Sequence, residues 1–282
     1  MSRRREVERH LLALNEIADI MGGMKMLASM ETRKLGRRLQ CQAEVVRTLE
    51  RAAADLLGHY PQPPDDGAMP RRVFVLFGSE RGFCGEFNRL IYEQFMRGAQ
   101  VCADPLAVAV GDKLRPAIAD DGRVAAAVPG ASVVEDINVV LGAVVDALDA
   151  LRRRIGSFNL TALYHDEARS QVRQREILPP FQTLQRQDDD RFPPVLNLPP
   201  RHVYGQLVEQ YLFAVRYHLA YVSLAAENQR RVEHLDAAIH RVDQRADALA
   251  MKRNALRQEE ITEEIEVILL SAGVHDAPGR WR

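Results

Sequence analysis

The segment VFVLFGSERGFCGEFN, residues 73–88, runs an apolar strand into a glycine-spaced turn bearing Cys84 and then into a helix. Strand, turn and helix in that order is the setting in which α/β hydrolases raise a nucleophile, and glycine-rich turns at helix starts also cradle phosphates. Neither template is met. A nucleophile elbow needs G-x-C-x-G, whereas Gly82-Phe83-Cys84-Gly85-Glu86 brings the second glycine one place early. A phosphate loop ends in G-K-[ST], and no such lysine follows; G-x-G-x-x-G does not match either. Candidate bases such as His59 and His165 are not placed by sequence. The plainer reading makes Cys84 a small, partly buried residue at a helix start, where Cys84→Ala is tolerated. An α/β hydrolase using Cys84 stays the rival reading, testable by iodoacetamide trapping.

Other chemistry-bearing clusters are weaker. HDEA, residues 165–168, has ligand-type side chains but no second cluster at metal spacing, which favours a solvated strand end. DDDR, residues 188–191, is an acidic loop beside prolines. ENQRRVEH from Glu227 and KRNALRQEEITEE from Lys252 place dense charge on the last helix, which reads as a solvated face with i,i+4 pairing. Cys41, Cys84 and Cys102 lie far apart with no CxxC pair, which fits a reducing cytosol. No cofactor and no metal is expected.

The elements that hold these residues fall into three blocks. Residues 6–57 contain no proline, and Leu35, Leu39, Gln42, Val46, Leu49, Ala53 and Leu56 alternate spacings of four and three, a coiled-coil seam. Val7, Leu11, Leu14, Ala18 and Met21 keep the same alternation before Gly22-Gly23, so one long helix, kinked at the glycines, is expected over residues 1–58. A proline- and aspartate-rich linker, residues 58–70, follows. The middle block, residues 71–198, alternates strands (RVFVLF, LAVAVG, VAAAV, NLTALYH) with helices after Gly85, near Lys113 to Ala119, and from Glu135 to Arg154. That alternation predicts a central Rossmann-like α/β domain with a parallel sheet.

Residues 202–275 are again free of proline. Leu212, Val215, Leu219, Val222 and Ala226 run in four-three alternation, and Leu235, Ile239, Val242, Ala246 and Leu249 resume it after a phase slip. A continuous helix of ~70 residues is ~105 Å long. A compact chain of this length is only about 50 Å across, so the helix cannot fit inside one. The fold class is therefore α/β with a long antiparallel coiled coil made of both chain ends, a rod with a knob. Residues 276–282 form a tail.

Composition excludes other classes. A net charge of -1 gives no global field that would draw the chain onto nucleic acid. No apolar stretch approaches the ~20 residues of a membrane span, so any membrane role is peripheral. Arg3, Arg4 and Arg5 are interrupted by Glu6 and Glu8 with no signal core behind them.

AENQRRVEHLDAAIHRV and RNALRQEEITEEIEVILLSAG in the last helix, with Met24-Lys25-Met26-Leu27-Ala28-Ser29 in the first, resemble the gamma subunit of F-type ATP synthases. The two from the last helix are similar to that family's SEHxARM segment and its N-x-A-R-Q-x-x-I-T-x-E run. Glu227, Arg231 and Val232 fall on the first, and Asn254, Arg257, Gln258, Ile261, Thr262 and Glu264 on the second. Met24-Lys25-Met26-Leu27-Ala28-Ser29 is similar to the AMKMVAASK core, and Ser79 to Asn88 to SDRGLCGxxN. The chain departs from the family at Glu86, where a second glycine is usual, and at Ser29-Met30-Glu31, where the basic ASK stands; Gly22-Gly23 is also unusual. These departures fit a divergent or alternative branch.

The resemblance implies a non-catalytic rotor shaft inside a ring of alpha and beta subunits. Its α/β domain would sit by the epsilon subunit and the membrane rotor c-ring, as a peripheral protein on the cytoplasmic face of the inner (plasma) membrane. It implies partner contacts at Arg257, Gln258, Thr262 and Glu264, with Met24 and Lys25 at matching depth on the opposing helix. Ile261, Ile265, Ile268 and Leu269 would turn in an apolar sleeve or, equally, form coiled-coil seam. An elongated coiled-coil scaffold without rotary role is the second rival.

Overall fold

A computed structural model describes residues 3–61, 71–166, 171–182, 184 and 193–273. The acidic DDDR loop, Glu167 and Ala168 of HDEA, most of the linker and the tail lie outside the described residues. Two compact units emerge: residues 1–26 with 235–282, and residues 27–234. Two helices enter both. The first, α1, runs over Arg3–His59, and the last, α5, over Pro200–Gly273. Helical hydrogen bonding in α1 continues through Gly22 and Gly23, whose open side leaves space for any Cβ.

In the larger unit the middle block forms β1 (Arg71–Phe77), α2 (Phe87–Gln100), β2 (Leu106–Val110), α3 (Arg115–Ile118), β3 (Val124–Val128), α4 (Ile137–Ile155), β4 (Phe158–Asp166) and β5 (Gln171–Leu178). A 3-10 turn over Val134–Asp136 leads into α4. The sheet order is β3-β2-β1-β4-β5, parallel except for the antiparallel edge strand β5. Alternation along β1 divides the core. Phe74 and Leu76 pack with Ile91 and Phe95 of α2, whereas Val73, Val75 and Phe77 pack with α4 and with residues such as Leu35, Val215 and Leu219 of the long helices. Helices on both faces explain why β1 and β2 read as nearly continuous apolar runs.

The four strands read from sequence are all present, and the fifth was missed. QVRQREIL is an edge strand with mostly exposed or half-exposed side chains, and its only buried residue is Ile177. Its charged pattern hides it, because one side of an edge strand needs no apolar partner. The seam on α1 is buried as its spacing predicts, with Leu35, Val46, Ala53 and Leu56 at the most buried positions.

Within the smaller unit the two helices run antiparallel. Arg4 Nη1 lies 3.0 Å from a Glu260 carboxylate oxygen, and Lys25 pairs with Asp236, so the helix register is set from both ends. Val7, Met21 and Leu235 are buried between them. Past Glu260 every described side chain on α5 is exposed, including Ile261, Ile265, Ile268 and Leu269. Of the two readings kept for that stripe, seam packing is not what this chain alone provides.

Candidate functional site

The turn after β1 is built by local hydrogen bonds and two left-handed residues. Ser79 N–H donates to Asn88 Oδ1 at 2.8 Å, and Asn88 Nδ2 returns a bond to Ser79 Oγ at 2.9 Å, pinning the loop to the first turn of α2. Phe83 (φ 64) and Gly85 (φ 59) supply the reversal. Glycine relieves such a conformation at Gly85, while Phe83 adopts it under strain. Glu86 has an ordinary φ of -82 and pairs with Arg89 at 2.6 Å, so no second glycine is required there.

What this loop binds is the chain's own last helix. The backbone N–H groups of Glu80 and Arg81 both donate to the Glu227 carboxylate, at 3.1 Å each. Arg231 pairs with that carboxylate one helical turn later. Its Nε donates to Gly82 O at 3.1 Å and its Nη1 to Asn228 Oδ1 at 2.7 Å. Glu80 reaches the other way, its carboxylate accepting from Asp112 N–H at 3.0 Å and Gly130 N–H at 2.6 Å. The loop thus joins the ends of β2 and β3 to α5.

This is the carboxyl edge of the parallel sheet beside the β1/β4 boundary, where strand order reverses and open α/β folds bind their ligands. Consecutive N–H groups aimed at one anion form the concavity that elsewhere takes a phosphate. Here a glutamate occupies it. Burial pushes the Glu227 carboxyl up, while Arg231 and the two backbone donors hold it down. Glu227, Asn228 and Arg231 are all buried, so the solvated face expected for ENQRRVEH is corrected at these three positions. The phase slip in the α5 seam falls beside the same place. From Ser223 to Asn228 six consecutive side chains are buried, so the helix is enclosed and a single apolar stripe no longer describes it. That slip, with an i,i+4 Glu-Arg pair beside it, was the signal sequence offered for this site.

Cys84, within this loop, has a buried thiol that also touches the Arg231 guanidinium, Nη2 to Sγ 3.6 Å. Its thiol faces Arg81 O, Gly82 O and Glu227 O, and burial, reinforced by the Glu227 charge, pushes it up to about 11. A thiol so placed is almost wholly protonated at neutral pH. His165 is turned away, stacked on Phe87 at 3.8 Å, with Nε2–H donating to Phe87 O at 2.9 Å. His59 contacts Asp55 O in the last turn of α1. His234 and Glu233 line a small cleft of about 320 Å³ with Cys84, but among the described residues no base is hydrogen-bonded to the thiol.

His165 and His218 carry a pH dependence. Burial lowers both to about 4, with the Arg175 charge adding to it at His218. Because the folded value lies below the unfolded one, the contribution is present above about pH 6.5 and is lost as pH falls toward 4. The unfolding free energy should drop across that window by up to ~1.4 kcal/mol per pH unit for each histidine, and His165→Gln should shallow the slope. A slope unchanged by that substitution contradicts the assignment.

The partner-facing residues expected from sequence are separated. Arg257, Gln258, Thr262 and Glu264 are exposed on α5, with Thr262 Oγ1 donating to Gln258 O at 2.9 Å. Met24 and Lys25 do not lie at matching depth. Lys25 is opposite Asp236, about 30 Å along α5 from Arg257 at ~1.5 Å per residue, and it is Arg4 that faces Glu260. The physical reason is the antiparallel register, which leaves the residues after Glu260 beyond the start of α1. Glu31, where the basic ASK was expected, pairs with Lys34 at 2.7 Å and accepts from Val134 N–H at 3.4 Å, so its charge is met within this chain.

The ATP synthase family profile matches residues 3–273. The ATP synthase gamma chain of Clostridium botulinum (strain Hall) is 21% identical over 272 residues, covering 93% of this chain and 95% of the relative. That of Clostridium perfringens (strain SM101) is 24% identical, covering 94% and 95%. Among solved structures, a chain of the Euglena gracilis mitochondrial ATP synthase in rotational state 3 superposes with a TM-score of 0.66 at 13% identity, covering 99% of both chains. One from the central stalk and c-ring of the Tetrahymena thermophila mitochondrial ATP synthase gives 0.56 at 16%, covering 78% of this chain and 99% of the other. With the profile match running from the start of α1 to the end of α5, the chain belongs to the gamma-subunit family of ATP synthases.

Proposed function

We propose that this chain is a non-catalytic rotor shaft that couples ion movement through a membrane ring to ATP synthesis or hydrolysis on a ring of alpha and beta subunits. The observation that carries the reading is the match of residues 3–273, from the start of α1 to the end of α5, to the ATP synthase family profile. The exposed apolar side chains near the end of α5, Ile261, Ile265, Ile268 and Leu269, suit turning in an apolar sleeve, while Thr262 and Glu264 between them are left for polar contact. The shaft acts by making different contacts with open and closed beta subunits, shifting their populations as it turns. Its α/β domain contacts the epsilon subunit and the c-ring, on the cytoplasmic face of the membrane. No described helix is long and apolar enough to cross a membrane. That the chain itself catalyses nothing is supported by a Cys84 thiol pushed up to about 11 and by the Glu227 carboxylate filling the loop.

Partner contacts are proposed at Arg257, Gln258, Thr262 and Glu264 for one level of the beta ring, and at Met24 and Lys25 for another. Arg257 is exposed and makes no ion pair among the described residues, leaving its guanidinium for a partner carboxylate or carbonyl. A charge-assisted hydrogen bond contributes ~1.5 to 3 kcal/mol, enough to bias a rotary state without locking it. Tagged protein should co-purify alpha and beta subunits. The Arg257→Ala, Gln258→Ala double variant should assemble yet lower coupled ATP turnover roughly tenfold or more. Turnover equal to the unaltered complex sinks the contact assignment, and absence of alpha and beta from the pull-down sinks the rotor reading.

A further inference from the structure

In the larger unit, a cavity of about 410 Å³ opens between α4 and α5 onto one face of the sheet. Val75, Leu160 and Leu219 line it together with Leu141, Val144 and Leu212. The lining also carries charge. Arg152 and Arg216 lie there with Asp149 and Glu209. The Arg216 guanidinium is held 4.6 Å from the Phe213 ring centroid and 5.5 Å from that of Tyr217, and its Nε is buried with no hydrogen-bond partner among the described residues. Neither arginine forms an ion pair among the described residues.

A buried N–H donor on an arginine that lines a largely apolar pocket is an arrangement that can take an amphiphile by its head. Guanidinium groups favour carboxylates for their matching fork geometry. The two acids make the lining formally neutral, which disfavours polyanions such as nucleotides more than a singly charged group. The volume lies in the small-ligand range, and the walls offer an alkyl chain nothing but hydrocarbon. We infer that this cavity is a binding site for an alkyl monocarboxylate of fatty-acid type, its carboxylate on Arg216 and its chain against the sheet. The site is independent of the rotor assignment.

Decanoate titrated calorimetrically into the full chain should bind saturably at one site per molecule. Decanol should bind roughly tenfold more weakly or worse, and so should decanoate to Arg216→Gln, since a charge-assisted bond is lost in each case. Decyl phosphate distinguishes a lipid phosphate source from a free fatty acid, and repulsion by Asp149 and Glu209 should make it the weaker ligand. Val144→Phe should fill the cavity and abolish binding. Unsaturable uptake, equal affinity for decanol, or tighter binding of decyl phosphate each overturns the proposal. If Arg216→Gln does not fold, the comparison of decanoate with decanol on the unaltered chain still decides it.

Discussion

Glu227→Ala is expected to destabilise the larger unit by about 3 to 5 kcal/mol, because it strips a buried arginine of its counter-charge. Arg231 and Glu227 are each only a few per cent exposed, so solvent cannot replace the lost partner. The substitution also orphans the backbone donors of Glu80 and Arg81, which have no other acceptor among the described residues. Denaturant unfolding followed by circular dichroism gives the measurement. The companion is the Glu227→Leu, Arg231→Met double variant, which removes both charges at similar volume and should recover much of the loss. A single variant as stable as the unaltered chain contradicts the assignment, and a double variant no better than Glu227→Ala shows that the hydrogen bonds to the loop outweigh the charge pair.

The second large effect is expected at Gly111, at the end of β2. Its φ of +104 is one that side chains rarely adopt, and a Cβ would lie 2.7 Å from Ser79 O and 2.9 Å from Gly78 O. Both are backbone atoms, so no side-chain rotation relieves the overlap. Lys113 N–H also donates to that Ser79 carbonyl at 3.0 Å, and Gly111 N–H to Val128 O at 3.0 Å, so neither side is free to retreat. Strained backbone and overpacking together give a cost of about 2 to 6 kcal/mol for Gly111→Ala. Comparison with Gly122→Ala, a position with open space around its Cβ, separates this effect from ordinary glycine replacement. Similar unfolding midpoints for the two variants contradict the argument.

Both positions belong to a site that sequence only half disclosed. Periodicity gave the long helices because a seam leaves a record every three or four residues: Leu35, Val46 and Ala53 had to be apolar. The parallel strands were legible for a related reason, since Phe74 and Val75 face different helices and neither can be polar. β5 was not legible, because an edge strand tolerates charge along most of its length. The Glu227 site hid behind a different rule, that charge on a long helix is solvated. That rule fails when a loop far away in sequence supplies matching donors, and no local pattern at Glu227 announces that Glu80 and Arg81 will do so. GSERGFCGEFN, tested first as an active site, proved to be half of this pair, with the Cys84 thiol buried beside it and pushed up to about 11.

The partner-facing residues stand differently. Resemblance picked out Arg257 and Gln258, and exposure is compatible with contact, but depth along the helix follows from ion pairs that sequence did not foretell. Arg4 with Glu260 and Lys25 with Asp236 define the register, and these pairs separate Met24 and Lys25 from the α5 cluster.

The enclosed stretch from Ser223 to Asn228 has a consequence for angular phase. An apolar seam alone offers a helix several near-equivalent orientations about its own axis, since one branched hydrocarbon can replace another with little loss. A carboxylate between two fixed N–H donors offers only one. Buried polar groups are best attested as devices that set registry, and Glu227 here indexes α5 against the sheet as a key indexes a shaft in its hub. Torsion about the helix axis in this unit must therefore rotate sheet and helix together or break those bonds, so that the zero of angle is written in the loop after β1.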